Sequence, residues 1–537
     1  MEQATGNSGT QTTIFTNGRV YTMDEAQPVV EAFAVRDGRI ISLGTSRELS
    51  GTQGERVVNL GGRAVIPGLI DSHIHFLSYS RSLSKVNLDG VRSKEEALRK
   101  VADKARELGP GRWVLGGGWN HYLWDPPLFP TRGDLDRVAP NNPVLLDRKD
   151  LHSCWANSMA LQAAGVSSDT PDPPGAAIGR DEHGEPDGLF YESATAIPHR
   201  AVSEAPEDAL TVMRRGFVNL ASMGLVGFHD CEGPDAFSAF QQLEANGELP
   251  LRVVILLAYR TLGESIQVGL RTGFGSDRLR VGPVKIFSDG SLGSMTAEML
   301  EPFEGHPGNK GISTIPQDEL EDAVGRAAQA GIASAIHAIG DAANRRVLDA
   351  FEKVPSPDGT KHRIEHAQHL HPDDIPRFGK LGVVASMQPI HATSDMTPAD
   401  RLLGNRARYS YAWRSLLQTG ALLAFGSDAP VETPNPFAGI HAAATRQDEE
   451  DMPPGGWYPQ ERLTVEEAVR AYAQGAAPSA PYLPNVTGTL SAGSAADFLV
   501  LEHDLFAIEH KEIKKLQPLA TVVGGSALFD PQSILAG

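Results

Sequence analysis

Val65–Ile66–Pro67–Gly68–Leu69–Ile70–Asp71–Ser72–His73–Ile74–His75 is the stretch from which the fold is read. A short apolar run, punctuated by Pro-Gly, ends in two histidines one residue apart. Such a run reads as a strand buried on both faces, as in a parallel sheet. Alternate strand residues share a face, so His73 and His75 project together from the strand's end. Neutral imidazole is a common ligand for zinc and related metals. Taken alone, the pair can equally be two polar residues on one face. Its place at the C-terminal end of an apolar strand favours a metal, because parallel barrels carry their active sites at that face.

Further apolar strands follow, each succeeded by a helical stretch. Their ends fall near Ile70–His75, Val226–Asp230, Val253–Ala258, Val284–Ser288, Ala335–His337, Arg363–His366, Ala385–Gln388 and Leu423–Ser427. Eight strand–helix units are what a (β/α)8 TIM-type barrel requires, and residues 67–484 are assigned to one. The intervals are uneven. A segment of about residues 80–207, rich in Pro, Gly and Trp, does not read as one strand–helix unit. It is expected to be an insertion after the first strand that covers the active-site mouth. Residues 1–66 and 485–537 read differently, as short alternating strands. Asn17-Gly18 and Asp37-Gly38 are hairpin turn signals there. The two ends are expected to form one composite β-sandwich.

Composition bounds the function. The 537 residues include 41% hydrophobic and 21% charged, ordinary for a globular protein. Forty-eight Lys+Arg against 67 Asp+Glu give a net charge of -19, which argues against nucleic acid, since that partner needs a basic face. With only Cys154 and Cys231, a disulfide framework is excluded and a thiolate zinc site is not expected. Residues 1–13 lack the basic start and apolar core of a signal peptide. No apolar run approaches the roughly 18–20 residues that span a bilayer. A cytoplasmic protein with a small-molecule substrate and no membrane partner is expected.

Four more polar residues fall near later strand ends: Lys285 in Val284–Lys285–Ile286–Phe287, His337 after Ala335–Ile336, His366 after Glu365, and Asp428 after Gly426–Ser427. A strand-end His or Asp often caps the next helix. A Lys inside an apolar run is harder to dismiss, because burying its charge is costly without a partner.

The order His73-x-His75, Lys285, His337, His366, Asp428, with the Pro67–Gly68–Leu69–Ile70–Asp71 lead-in, resembles the amidohydrolase superfamily. Lys285–Ile286–Phe287–Ser288–Asp289–Gly290–Ser291 and Gly426–Ser427–Asp428–Ala429–Pro430 resemble the branch containing N-substituted formamide deformylases. The resemblance implies two Zn2+ or similar divalent ions. His73, His75 and Asp428 would hold one, and His337 and His366 the other. Lys285, N6-carboxylated on its amine, would bridge them; an unmodified Lys285 leaves a single-metal site as the simpler outcome. It further implies cleavage of a C–N bond of an amide, N-substituted formamide or related carbamoyl compound by metal-activated hydroxide. Asp428 would be the catalytic acid and base. Homodimers are common among such barrels. The same site can serve an ester or cyclic amide/imide hydrolase or a deaminase. A non-catalytic binding or regulatory protein is disfavoured, since all six positions are filled.

Candidates for substrate contact are Trp119 and His121 in a Gly-rich turn, His152, Asp289, and Gln388 and His391 in Gln388–Pro389–Ile390–His391. Each has an alternative: Asp289 can orient a ligand or merely cap a turn with Gly290, and Trp119 can simply pack. His362, His369 and His371 read as surface or packing residues.

Overall fold

Burial on both faces, read from the apolar run around Leu69, is borne out along an eight-stranded parallel sheet. The computed structural model describes residues 11–49, 56–88, 90–148, 153–173, 176–202, 208–475 and 488–536. In chain order the barrel strands are β1 (Leu69–Ile74), β2 (Leu225–Asp230), β3 (Arg252–Ala258), β4 (Leu279–Phe287), β5 (Ser334–Ala338), β6 (Arg363–His366), β7 (Val384–Met387) and β8 (Leu422–Phe425). Each pairs in parallel with the next, and every residue of β1, β2, β5, β6 and β7 is buried. Helices such as Gln317–Gln329 and Asp341–Lys353 return the chain between strands. Their apolar residues, among them Leu320, Val324, Val347 and Phe351, are buried while the opposite faces stay polar. The fold is a nearly closed (β/α)8 barrel.

Closure is made by side chain and backbone together. Asp71 in β1 accepts from the Ser427 amide at 3.0 Å and from the Ser427 hydroxyl at 2.5 Å. The Asp428 amide donates to His73 O at 2.7 Å, and the His75 amide to Ala429 O at 2.9 Å. Gly426 makes the approach possible, since a β-carbon there would lie 2.6 Å from Asp71 Oδ1 and from the His73 nitrogen.

The chain divides into two compact units, Met1–Tyr79 with Met213–Gly537, and Ser80–Val212. In the first, strands from both chain ends share a six-stranded sheet, ordered Ser526–Phe529, Pro518–Val523, Phe498–Leu501, Ala64–Pro67, Arg19–Tyr21, Val29–Val30. A four-stranded sheet, ordered Arg39–Gly44, Ala32–Arg36, Thr13–Thr16, Arg56–Asn59, shares one apolar core with it, built on Phe15, Phe33, Val65, Phe498 and Val522. Asp37-Gly38 is the expected hairpin turn, with φ of 53° and 72°. Asn17-Gly18 is not: Thr13–Thr16 and Arg19–Tyr21 lie in different sheets, so this turn carries the chain from one sheet to the other.

The second unit has its own mixed six-stranded sheet, ordered Ala177–Arg180, Pro186–Tyr191, Ser153–Ala156, Val144–Arg148, Val114–Trp119, Val86–Asn87. Helix Lys94–Leu108 packs on it and starts at Ser93, whose hydroxyl accepts from the Glu96 amide. The expected boundaries at 207 and 485 lie outside the described residues.

Arg252, the first residue of β3, ties the barrel to the C-terminal segment. Its Nε and Nη2 donate to Asp497 at 2.5 and 2.9 Å, and both side chains are buried. Removing one partner strands the other charge. Asp497→Ala is therefore expected to cost about 3–5 kcal/mol, read as a lowered urea midpoint. An unchanged midpoint would contradict a structural role for the pair.

Candidate active site

The C-terminal ends of β1, β4, β5 and β6, with the turn after β8, surround a cavity of about 400 Å³. His73, His75, Lys285, His337, His366 and Asp428 all line it, as does His391. Asp428 Oδ1 lies 3.5 Å from His73 Nε2 and 3.3 Å from His75 Nε2. Donor atoms of His73, His366 and Asp428 lie within 4.8 Å of one another. The rings form a series, with centroids 4.9 Å apart for His73 and His366 and 4.6 Å for His366 and His337.

Each of three imidazoles is fixed by its far nitrogen. His73 Nδ1 donates to Glu365 Oε2 at 2.5 Å, and Glu365 is held in turn by hydrogen bonds from Arg363. His366 Nδ1 donates to Gln388 Oε1 at 2.8 Å. His337 Nε2 donates to Gly290 O at 3.0 Å, leaving its Nδ1 buried without a hydrogen-bond partner. A hydrogen bond to one ring nitrogen sets the tautomer and presents the other as a lone pair.

Electrostatics match that arrangement. Burial, reinforced by Lys285, pushes His73 down to about 4, and burial holds His366 well below the usual histidine range. Burial acts to raise the Asp428 carboxyl, but His73, a hydrogen bond from His75 and His366 outweigh it and hold it well below the usual carboxylate range. At pH 7 His73 and His366 are thus neutral and Asp428 is ionised. Lys285 is buried, with Nζ 3.4 Å from His73 Nε2 and 4.9 Å from the Phe287 ring centroid. Among the described residues no carboxylate oxygen lies within 4 Å of it.

Backbone geometry aims two of these groups. His366 has φ of 72° and Asp428 φ of 61°. Non-glycine residues reach that region at a cost of about 1–2 kcal/mol, and such conformations concentrate at functional sites. Arg363 and Glu365 share one face of β6 by strict alternation. The left-handed turn at His366 breaks the alternation and puts its ring in the cavity.

The other candidates fare differently. Gln388 is absent from the cavity lining and orients His366 instead. Asp289 neither lines the cavity nor caps a turn with Gly290. It accepts from the amides of Glu298, Ile339 and Gly340 at 2.8–3.0 Å, and its Oδ1 lies 3.3 Å from His337 Nε2. Trp119 is a core residue of the second unit, fully buried, with its indole nitrogen donating to Leu146 O. His121 is buried beside the Phe129 ring, 3.9 Å between centroids. His152 lies outside the described residues. Sequence reasoning missed Glu365 and Arg363. Two charges alternating with Ile364 inside an otherwise apolar strand were the signal that could have found them.

Residues 56–529 match the amidohydrolase family. The chain belongs to that family. Among curated relatives, this amidohydrolase is 36% identical to the protein LONG AFTER FAR-RED 3 of Arabidopsis thaliana, over 96% of this chain and 91% of that one. It is 29% identical to the N-substituted formamide deformylase of Arthrobacter pascens, over 96% and 97% respectively. Its structure is similar to that of an uncharacterised metal-dependent hydrolase from Pyrococcus horikoshii OT3, with a TM-score of 0.73, 27% identity, and coverage of 93% of this chain and 99% of that one. No helix among the described residues is long and apolar enough to cross a membrane.

Two histidines outside the cavity set an acid limit to stability. His362 stacks on Phe351 and accepts from the Ser334 amide at 3.0 Å; burial pushes it down to about 4. Burial, with Arg406, pushes His369 down to about 3. Both lie below the unfolded value of about 6.5, so between these limits the unfolded chain binds more protons. Stability is expected to fall as pH drops from about 6.5 toward 4, by up to about 1.4 kcal/mol per pH unit for each group. Urea midpoints measured from pH 7 to pH 5 check this, and a flat profile would contradict it.

Proposed function

We propose that this amidohydrolase is a metal-dependent hydrolase that cleaves a C–N bond of an amide, N-substituted formamide or related carbamoyl compound. One observation carries the reading: Asp428 Oδ1 sits within 3.5 Å of two imidazole nitrogens, while hydrogen bonds lock the His366 and His337 rings that line the same cavity. The donor set fits a divalent cation, because the buried His337 Nδ1 is otherwise unsatisfied and mixed nitrogen and oxygen ligands suit zinc. His73, His75 and Asp428 would hold one ion, and His337 and His366 a second. An N6-carboxylated Lys285 would give both an oxygen, and the lack of a carboxylate partner for its buried amine supports that modification.

A divalent ion bound there supplies Lewis-acid polarisation of a carbonyl and a water acidified toward neutral pH. The rest falls to the chain. Asp428 Oδ1 faces His73 and His75 and would join them in holding the ion, so Oδ2 is the oxygen left to accept the proton of the attacking water and return it to the departing nitrogen. His391 Nε2 is buried without a hydrogen-bond partner, 3.9 Å from Asp428 Oδ2. It is placed to hydrogen-bond the substrate or to steady that proton. Phe287, Leu292, Ile339 and Val431 offer apolar wall, and Asp395 and Glu432 also line the cavity. Lys285 is the one Lys or Arg among the described lining residues. A free carboxylate on the substrate would therefore meet like charge.

The test is a panel of N-substituted formamides, N-acyl amino acids, carbamates and cyclic amides with metal-loaded enzyme. Neutral formamides and amides are expected to turn over, with N-acyl amino acids disfavoured by about tenfold or more, the worth of ~1.4 kcal/mol of repulsion. Turnover confined to esters or cyclic amides would overturn the bond assignment, and full activity without metal would overturn the metal. Asp428→Asn is expected to lower kcat by about 10²–10⁴ with the fold retained. Lys285→Ala is expected to lose metal and regain activity with acetate or propionate; absence of rescue would leave the single-metal site.

A further inference from the structure

The second unit carries another group of side chains with ligand chemistry, remote in sequence from every residue of the barrel site. Asp147 lies on strand Val144–Arg148 and Cys154 on the antiparallel strand Ser153–Ala156, directly opposite it in register. His199 comes from helix Ala196–Ala201. One carboxylate oxygen, the thiol sulfur and one imidazole nitrogen lie within 4.8 Å of one another. His199 Nε2 and Asp147 Oδ1 are 2.8 Å apart.

Three uses of such a group can be weighed. As a nucleophile Cys154 is poorly placed: burial and the neighbouring Asp147 raise its thiol, whereas reactive cysteines sit in electropositive surroundings that lower it. As plain packing, the thiol faces Ile178 and Phe190 acceptably and His199 pairs with Asp147, whose hydrogen bond raises its imidazole, but neither accounts for the sulfur lying within reach of both. A cation gives all three a role, since it deprotonates a coordinating thiol and is neutralised by the carboxylate. Sulfur with nitrogen selects a borderline ion such as zinc over magnesium or calcium. Access is open on one side, because the His199 and Asp147 side chains are 44% and 34% exposed above a fully buried Cys154. Ligand bonds of about 2.0–2.3 Å need the 2.8 Å His–Asp contact to widen by roughly half an ångström, which two part-exposed side chains can supply. A protein with two cysteines cannot build a zinc site on thiolates alone, but a mixed set needs only one.

We propose that Asp147, Cys154 and His199 form a binding site for a zinc-like divalent cation within the Ser80–Val212 unit, with a ligand set distinct from the barrel site. Bound there, the ion ties two neighbouring strands of that unit's sheet to the helix Ala196–Ala201 and leaves a coordination position for water.

Co2+ titration of the metal-stripped full chain tests the proposal, because thiolate ligation gives a near-ultraviolet charge-transfer absorption that nitrogen and oxygen ligands do not. The barrel site takes up Co2+ as well, through nitrogen and oxygen ligands, so the band is expected to correspond to one equivalent at saturation. Cys154→Ser should abolish the band and Cys231→Ser should keep it. His199→Ala, at a part-exposed position, should weaken Co2+ affinity at this band about 100-fold or more, since even partners outside the ligand set are worth about 10–100-fold. No band, a band that survives Cys154→Ser, or an unchanged affinity in His199→Ala overturns the site. Should Cys154→Ser fail to fold, the His199→Ala titration decides.

Discussion

Asp71 sits where the barrel must close, and the site depends on its carboxylate. It accepts from the amide and hydroxyl of Ser427 and from the amide of His73, joining residues 356 positions apart in the chain. That clasp sets the first strand against the turn that follows the eighth. It thereby brings Asp428 beside His73 and His75. The arrangement is made in a dry interior, where burial pushes the Asp71 carboxyl up to about 7 despite three donors acting against it. Hydrogen bonds of this kind are worth most where water is absent, and an unmade one costs most there too.

A second layer of interactions decides what the imidazoles can do. Burial opposes ionisation of Glu365, yet Arg363 beside it wins and holds its carboxyl well below the usual range. The resulting carboxylate fixes His73 through Nδ1. Gln388 does the same for His366 with a neutral amide, and the Gly290 carbonyl for His337. Three chemically different acceptors therefore give one result, an oriented ring. Arg363 also donates to Ser72 O and Ser386 Oγ, so the support for the site is continuous with the barrel's interior packing.

The Ser80–Val212 unit is built around its own sheet. Its sheet and its two apolar clusters, with Trp119 and Trp155 at the centre of one, form a core of their own. Trp119 illustrates how composition misleads: a Trp after three glycines resembles a flexible pocket wall. Here Gly116 and Gly117 are strand residues, where a β-carbon on Gly116 would lie 2.3 Å from Val86 O. The glycines serve strand packing and the indole fills the core behind them.

The barrel was legible in the sequence because its signal is local. Buried parallel strands must be apolar along their whole length, and eight such runs, six of them ending near His73, Asp230, Lys285, His337, His366 and Asp428, need no partner to be recognised. The six cavity-lining candidates were legible for the same reason, as polar residues that interrupt those runs at one end. What the sequence could not supply is anything set by pairing across hundreds of residues. Neither the choice of Glu365 as the partner of His73 nor the conversion of Gln388 from pocket residue into support could be read from it. Asn17-Gly18 likewise turned between sheets instead of closing a hairpin, since the register of its flanking strands is fixed by Ala64–Pro67 and Ala32–Arg36. Only tertiary structure decided these, because hydrogen-bond partners and positive φ angles at His366 and Asp428 are imposed by the closed barrel and not by the residues' own preferences.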